Sequence, residues 1–154
     1  MLPPFLTVGD LALLRALLSV RRTRGTSLTA QLNARLDTEK QDTLLTWAAR
    51  HGHAEAVRLL LDGGASVGAA DGDGASALLL ACEKECPECV RLLLEANAAV
   101  DQAKGDGATP LYVACQKGQL ECVRLLLAAN AVVNQVRDGG FTPLYVACAN
   151  GRTE

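Results

Sequence analysis

Aromatic side chains are scarce in this chain: one Trp, two Tyr and two Phe among 154 residues, 3% against a hydrophobic content of 49%. The apolar mass is therefore Leu, Ala and Val, which suits closely packed helices better than stacked sheets. A strong charge of one sign is missing too. The formal net charge of -2 is too small for the overall field to draw the chain to nucleic acid or an anionic membrane. No run of about 20 uninterrupted apolar residues occurs, which excludes an ordinary membrane-spanning helix. No basic leader precedes the apolar residues between Met1 and Leu6, so we expect no secretory signal. A cytoplasmic chain is expected, with entry to the nucleus left open.

The recognisable chemistry of catalysis is also thin. No glycine cluster ends in the Lys-Ser/Thr of a phosphate-binding loop. No Ser or Cys nucleophile stands in a motif with a paired base. We therefore expect no enzyme activity, no cofactor and no small-molecule substrate. His51 and His53 flank Gly52, and we read His53 as structural capping rather than as half of a metal or general-base pair. Cys82, Cys86 and Cys89 are dense enough to raise zinc or redox chemistry, but their spacing fits no standard zinc site.

What the sequence has in abundance is self-similarity. Thr43, Ser76, Thr109 and Thr142 follow one another at intervals of 33 residues. Thr109-Pro110-Leu111-Tyr112-Val113-Ala114-Cys115 recurs as Thr142-Pro143-Leu144-Tyr145-Val146-Ala147-Cys148. Glu55, Glu88, Glu121 and Glu154 align, as do Val57, Val90 and Val123, followed by Leu59-Leu60-Leu61 and its counterparts at Leu92 and Leu125. Cys82, Cys115 and Cys148 share one position and Cys89 and Cys122 another. Repetition at core positions argues for small buried hydrophobes. Equivalent cysteines of neighbouring units stand about one helix diameter, ~10 Å, apart, beyond the span of a disulfide.

Each unit has a physical reading. Thr109 is a good N-cap, and Pro110 at the first helical position lacks a donor that would be unsatisfied there anyway. The helix runs to about Lys117 and stops at Gly118. A second helix spans about Leu120 to Ala129, with Cys122, Val123, Leu126 and Leu127 at helical spacing. Asn130, like Gly64, suits a left-handed C-terminal position. Turn formers from Val133 to Gly140 make a projecting finger before the next cap. Such a helix pair cannot bury its own apolar face, so the pairs must stack. Glu85 stands where other units end their first helix with Gly, and Ser76-Ala77 replaces Thr-Pro, so the second unit should be the least stable.

These residues resemble the ankyrin repeat. The resemblance covers 37–154, and it implies an all-α solenoid of stacked helix-turn-helix units with projecting β-turn fingers. Units are expected at about 38–70, 71–103 and 104–136, with a truncated one at 137–154. Gly9 to Leu18 resembles the second helix of a degenerate leading repeat, so residues 1–36 are expected to form a capping repeat and an enlarged loop. Arg21-Arg22-Thr23-Arg24 within that loop reads as a solvated run. The chain stops at Glu154 where a second helix of the fourth unit would begin, so we expect a truncated stack or the front of a longer protein. The family commonly has His after Thr-Pro-Leu, tying neighbouring loops; here Thr46, Leu79, Tyr112 and Tyr145 stand there.

The resemblance also implies a function: binding of another protein through the concave face, as an adaptor or scaffold. Its finger residues would be Glu39, Lys40 and Asp42, then Asp73 and Ala75, Asp106 and Ala108, Asp138 and Phe141. Its first-helix residues would be Arg50 and His51, Glu83 and Lys84, Gln116 and Lys117, Ala149 and Asn150. Asp73 and Asp106 then form an acidic finger row, and His51, Lys84 and Lys117 a mostly basic one. Phe141 stands out as an aromatic at a finger tip. The Tyr-Val-Ala-Cys phrasing is similar to that of ankyrin proteins ending in a SOCS box, which implies an alternative role as the substrate-recruiting part of a ubiquitin ligase or another larger enzyme.

Overall fold

The four residues that mark the 33-residue period all begin helices. In the computed structural model, which describes residues 32–36 and 39–151, Thr43, Ser76, Thr109 and Thr142 are extended N-caps. Each side-chain oxygen accepts the backbone N–H three residues on. The helices are α1 Leu44–His51, α2 Ala54–Asp62, α3 Ala77–Lys84, α4 Pro87–Glu95, α5 Pro110–Lys117, α6 Leu120–Ala128 and α7 Pro143–Ala149. Among the described residues there is no strand beyond two isolated bridges, Ala70 with Ser76 and Arg137 with Phe141, both in fingers. The leading unit expected over 1–36 falls, apart from its last five residues, outside the described part.

First helices pack on first helices, α1 on α3, α3 on α5 and α5 on α7, while α2 packs on α4 and α4 on α6. The helices α1, α3 and α5 also each meet their own second helix. The shared core is continuous: Leu45, Ala48 and Ala49, then Leu78 to Cys82, then Leu111 to Ala114 are buried, backed by Val57, Leu60, Val90, Leu93 and Leu126. This is the stacked burial that a lone pair of short helices cannot achieve.

The turn between the helices of a pair demands a left-handed residue. Gly52 and Gly118 supply it at φ 73 and 71, and Glu85 is held in the same conformation at φ 63. The second turn, after the second helix, uses Gly64, Asn97 and Asn130, all at positive φ. Both turn assignments made from the sequence hold.

Candidate functional site: fingers and first helices

The fingers are joined edge to edge by one backbone hydrogen bond per repeat. Gly72 donates to the Lys40 carbonyl at 2.7 Å, Gly105 to Asp73 at 3.0 Å, and Asp138 to Asp106 at 3.0 Å. Inside each finger a second bond closes the loop: Asp71 N–H to Ala75 O, Lys104 to Ala108 and Arg137 to Phe141, each at 3.0 Å. Asp71 Oδ1 further accepts the amides of Asp73 and Ala75. A row of loops bonded in this way is a fixed surface rather than a set of independent tips.

Charge on that surface is largely paired across repeats. Lys40 bonds Asp73, and this contact holds the Asp73 carboxyl below its ordinary range. Arg137 reaches back to Asp106 with two bonds, at 3.1 and 2.8 Å. Burial works against ionisation of Asp106, but the Ala108 N–H, Lys104 and Arg137 outweigh it and lower its pKa. Lys104 lies 3.7 Å from Glu83 and 3.8 Å from Asp106. The acidic finger row expected of Asp73 and Asp106 therefore exists in position, but each member is matched by a cation of the adjoining finger.

Two expected contact residues are turned inward. Asp42 is 2% exposed and Asp71 4%, and Arg50 bridges them, 3.1 Å from Asp42 and in direct contact with Asp71. This triad clips the first described finger to the second through the end of α1. Asp42 and Arg50 are structural here. Buried carboxylates of this kind need their cation.

What remains outward lies chiefly at the ends of the first helices and on the last finger. Lys84, Gln116, Lys117, Asp138, Phe141 and Asn150 are exposed, as are Glu39 and His51, while Glu83 is half-buried. Asn150 donates its side-chain amide to the Gln116 carbonyl at 3.1 Å. No ion pair of Lys84 or Lys117 occurs among the described residues. His51 bonds the Trp47 carbonyl through Nδ1 at 2.8 Å and stacks on the Trp47 ring at 4.2 Å. His53 heads α2 but makes no side-chain capping bond; its ring stacks on Trp47 at 5.5 Å. The capping role expected of that side chain is thus replaced by aromatic packing.

The positions where the family commonly has His acquire other partners. Thr46 Oγ1 accepts the Thr43 N–H at 2.7 Å, closing a reciprocal capping box. The Tyr112 ring lies under the Arg137 guanidinium at 5.6 Å, so repeat is tied to repeat by a cation over an aromatic face. Lys104 and Arg137 escaped the sequence reading. The available signal was the change from Asp71 to Lys104 and Arg137 in one repeat column, with Asp73 and Asp106 in the column two residues on.

The three cysteines considered for zinc do not converge. Cys82 is sealed in α3, and neighbouring Cys122 of α6 together with burial pushes its pKa up. Cys86 instead touches Cys89. No group of three His, Cys, Asp or Glu suited to a metal occurs among the described residues. No helix among them is long and apolar enough to cross a membrane.

Capped helix pairs in 33-residue register, stacked through one core and joined by bonded fingers, define a helical repeat solenoid of the protein-interaction class. The family model described as ankyrin repeats, in three copies, matches residues 7–104 and 97–154. The chain belongs to the ankyrin-repeat family, whose repeats are generally interaction modules without catalysis. A comparison with curated proteins finds no match.

Proposed function

We propose that this stack is an adaptor or scaffold that holds a protein partner on the face lined by its fingers and first helices, with Lys84 and Lys117 as the principal charged contacts. One observation carries this reading: of the charged residues expected on that face, the acids of the finger row are matched by neighbouring cations, whereas these two lysines stand exposed at equivalent positions of α3 and α5. Their partner is an acidic stretch of another protein, with His51 and Gln116 beside the lysines and Phe141 and Asp138 at the far finger. Asn150 and Glu83 border the row, and Glu39 flanks the first finger. Association requires no chemistry of the stack's own. The place of action is the cytoplasm, with the nucleus open to it.

The test is a comparison of proteins crosslinked to the purified chain and to a Lys84→Glu, Lys117→Glu double variant of unchanged circular dichroism. Partners lost from the variant should also dissociate as salt rises from about 50 to 500 mM, since exposed charges are screened over about 10 Å at 0.1 M and less beyond. An unchanged set of partners refutes the assignment of these lysines.

A further inference from the structure

Cys86-Pro87-Glu88-Cys89 opens α4, with Cys86 as the N-cap and Pro87 at the first helical position. The Cys86 sulfur accepts the Cys89 N–H at 3.4 Å and lies 3.0 Å from the Cys89 sulfur. Its own S–H has two acceptors in reach, Cys89 Sγ at 3.0 Å and the Gly52 carbonyl at 3.8 Å. Access differs sharply between the two: Cys86 is half-buried at the turn, and Cys89 is wholly enclosed in the core. The other described cysteines lack this combination. Cys82 and Cys122 are both sealed, Cys115 is half-buried, and Cys148 is exposed with no cysteine near it in sequence.

We infer that Cys86 and Cys89 form a redox-active dithiol, converted to an intramolecular disulfide by a small-molecule disulfide of the glutathione type. The geometry distributes the roles. Cys86 can be approached from solvent at the N-cap of α4, so its sulfur is the one that meets the oxidant first. Cys86 gives up its proton to solvent and its thiolate attacks one sulfur of the oxidant. The oxidant's S–S bond breaks, one thiolate leaves, and Cys86 carries a mixed disulfide. Cys89 then loses its proton and attacks Cys86 Sγ, expelling the second small thiolate. Two protein thiols are oxidised by two electrons, and one small disulfide is reduced to two thiols. Burial and the Cys86 contact push the Cys89 thiol up, so it acts second, as the internal resolving group. Sulfurs already in contact need only a small side-chain rotation to bond.

The experiment uses the 154-residue chain, native, incubated with oxidised glutathione, then alkylated and mapped by mass spectrometry. Cys86 and Cys89 should appear as one disulfide, while exposed Cys148 ends as a glutathione adduct, an internal control for reagent access. In Cys89→Ser the adduct should persist on Cys86, with loss of glutathione from that residue slowed at least about a hundredfold, because an oriented internal nucleophile has been removed. Cys86→Ser should leave Cys89 unmodified. Free Cys86 and Cys89 beside a fully converted Cys148 would overturn the proposal. So would a stable glutathione adduct on Cys86 in the unaltered chain, a result that does not depend on whether either variant folds.

Discussion

Replacing Glu85 by Gly should stabilise the protein, and the turns of the same stack supply the yardstick. Glu85 ends α3 at φ 63 and ψ 45, and its N–H bonds the carbonyls of Ala81 and Cys82. Gly118 makes the same bonds to Ala114 and Cys115 at φ 71 and ψ 35. The backbone task is therefore equal, and the difference is the side chain. A non-Gly residue in this region costs about 1–2 kcal/mol. Glycine returns part of that gain through its freer unfolded chain, about 0.4–1 kcal/mol. The net should be a gain of about 0.5–1 kcal/mol, a rise of roughly 1–4 °C in melting temperature for a domain of this size. Urea denaturation of the native protein, Glu85→Gly and the reciprocal Gly118→Ala measures it. The reciprocal change should lose stability by a similar amount. An unchanged or lower midpoint for Glu85→Gly would refute the reasoning, since it would mean that strain at φ 63 does not govern this turn.

Arg50→Ala should lower stability by about 2–4 kcal/mol in urea titrations, because it removes the cation that bridges the buried carboxylates of Asp42 and Asp71; a loss within about 0.5 kcal/mol would remove the triad from the account of finger alignment. Acid should destabilise the fold through His53. Burial, His51 and Lys84 lower its pKa from the ordinary 6.5, so the folded form binds fewer protons than the unfolded one, and stability that is complete above about pH 6.5 declines as pH falls below it. His53→Asn should flatten the urea midpoint between about pH 7 and pH 5.5, and an unaltered slope would exonerate this residue. In hydrogen exchange, amides of α7 should exchange faster than those of α5, whose two sides are both covered; equal protection in a monomer would contradict the exposure of Leu144 and Tyr145.

The fold was legible because its determinants are local and repeated. Thr109 caps a helix for the same reason as Thr43, and a left-handed turn follows Lys84 and Lys117 alike. The candidate site was legible only as positions. Whether Asp42 faces solvent or Arg50 depends on Asp71, 21 residues beyond Arg50. Whether Asp106 is open depends on Arg137, 31 residues beyond it. Such pairings arise from how one finger lies on the next, and no spacing within a single unit encodes them. The cysteines show the same limit. Equivalent thiols were placed one repeat apart, but the sulfurs in contact belong to nonequivalent positions of one repeat, Cys86 and Cys89.

Identical segments can also have opposite surroundings. Leu111 is 2% exposed and its counterpart Leu144 69%; Tyr112 is 4% exposed and Tyr145 57%. Val113 and Val146 are buried alike. Both α5 and α7 have a preceding repeat packed against them, α3 and α5 respectively. Leu111 and Tyr112 are covered with α7 in place, and no described helix does the same for α7. The large hydrophobics exposed in the described part, from Leu120 and Leu127 through Val132, Val133, Val136 and Phe141 to Tyr145, gather at this end of the stack. The described residues thus present two surfaces of different physics: a charged row at Lys84 and Lys117, and an apolar end at α6, α7 and the finger between them. Salt separates them. Contacts led by exposed lysines weaken as ionic strength rises, whereas burial of apolar surface, at roughly 25 cal/mol per Å², is not screened and strengthens in salts such as sulfate. An association that grows with sulfate therefore belongs to the apolar end, and only one that fades with salt and with Lys84→Glu, Lys117→Glu belongs to the proposed partner face.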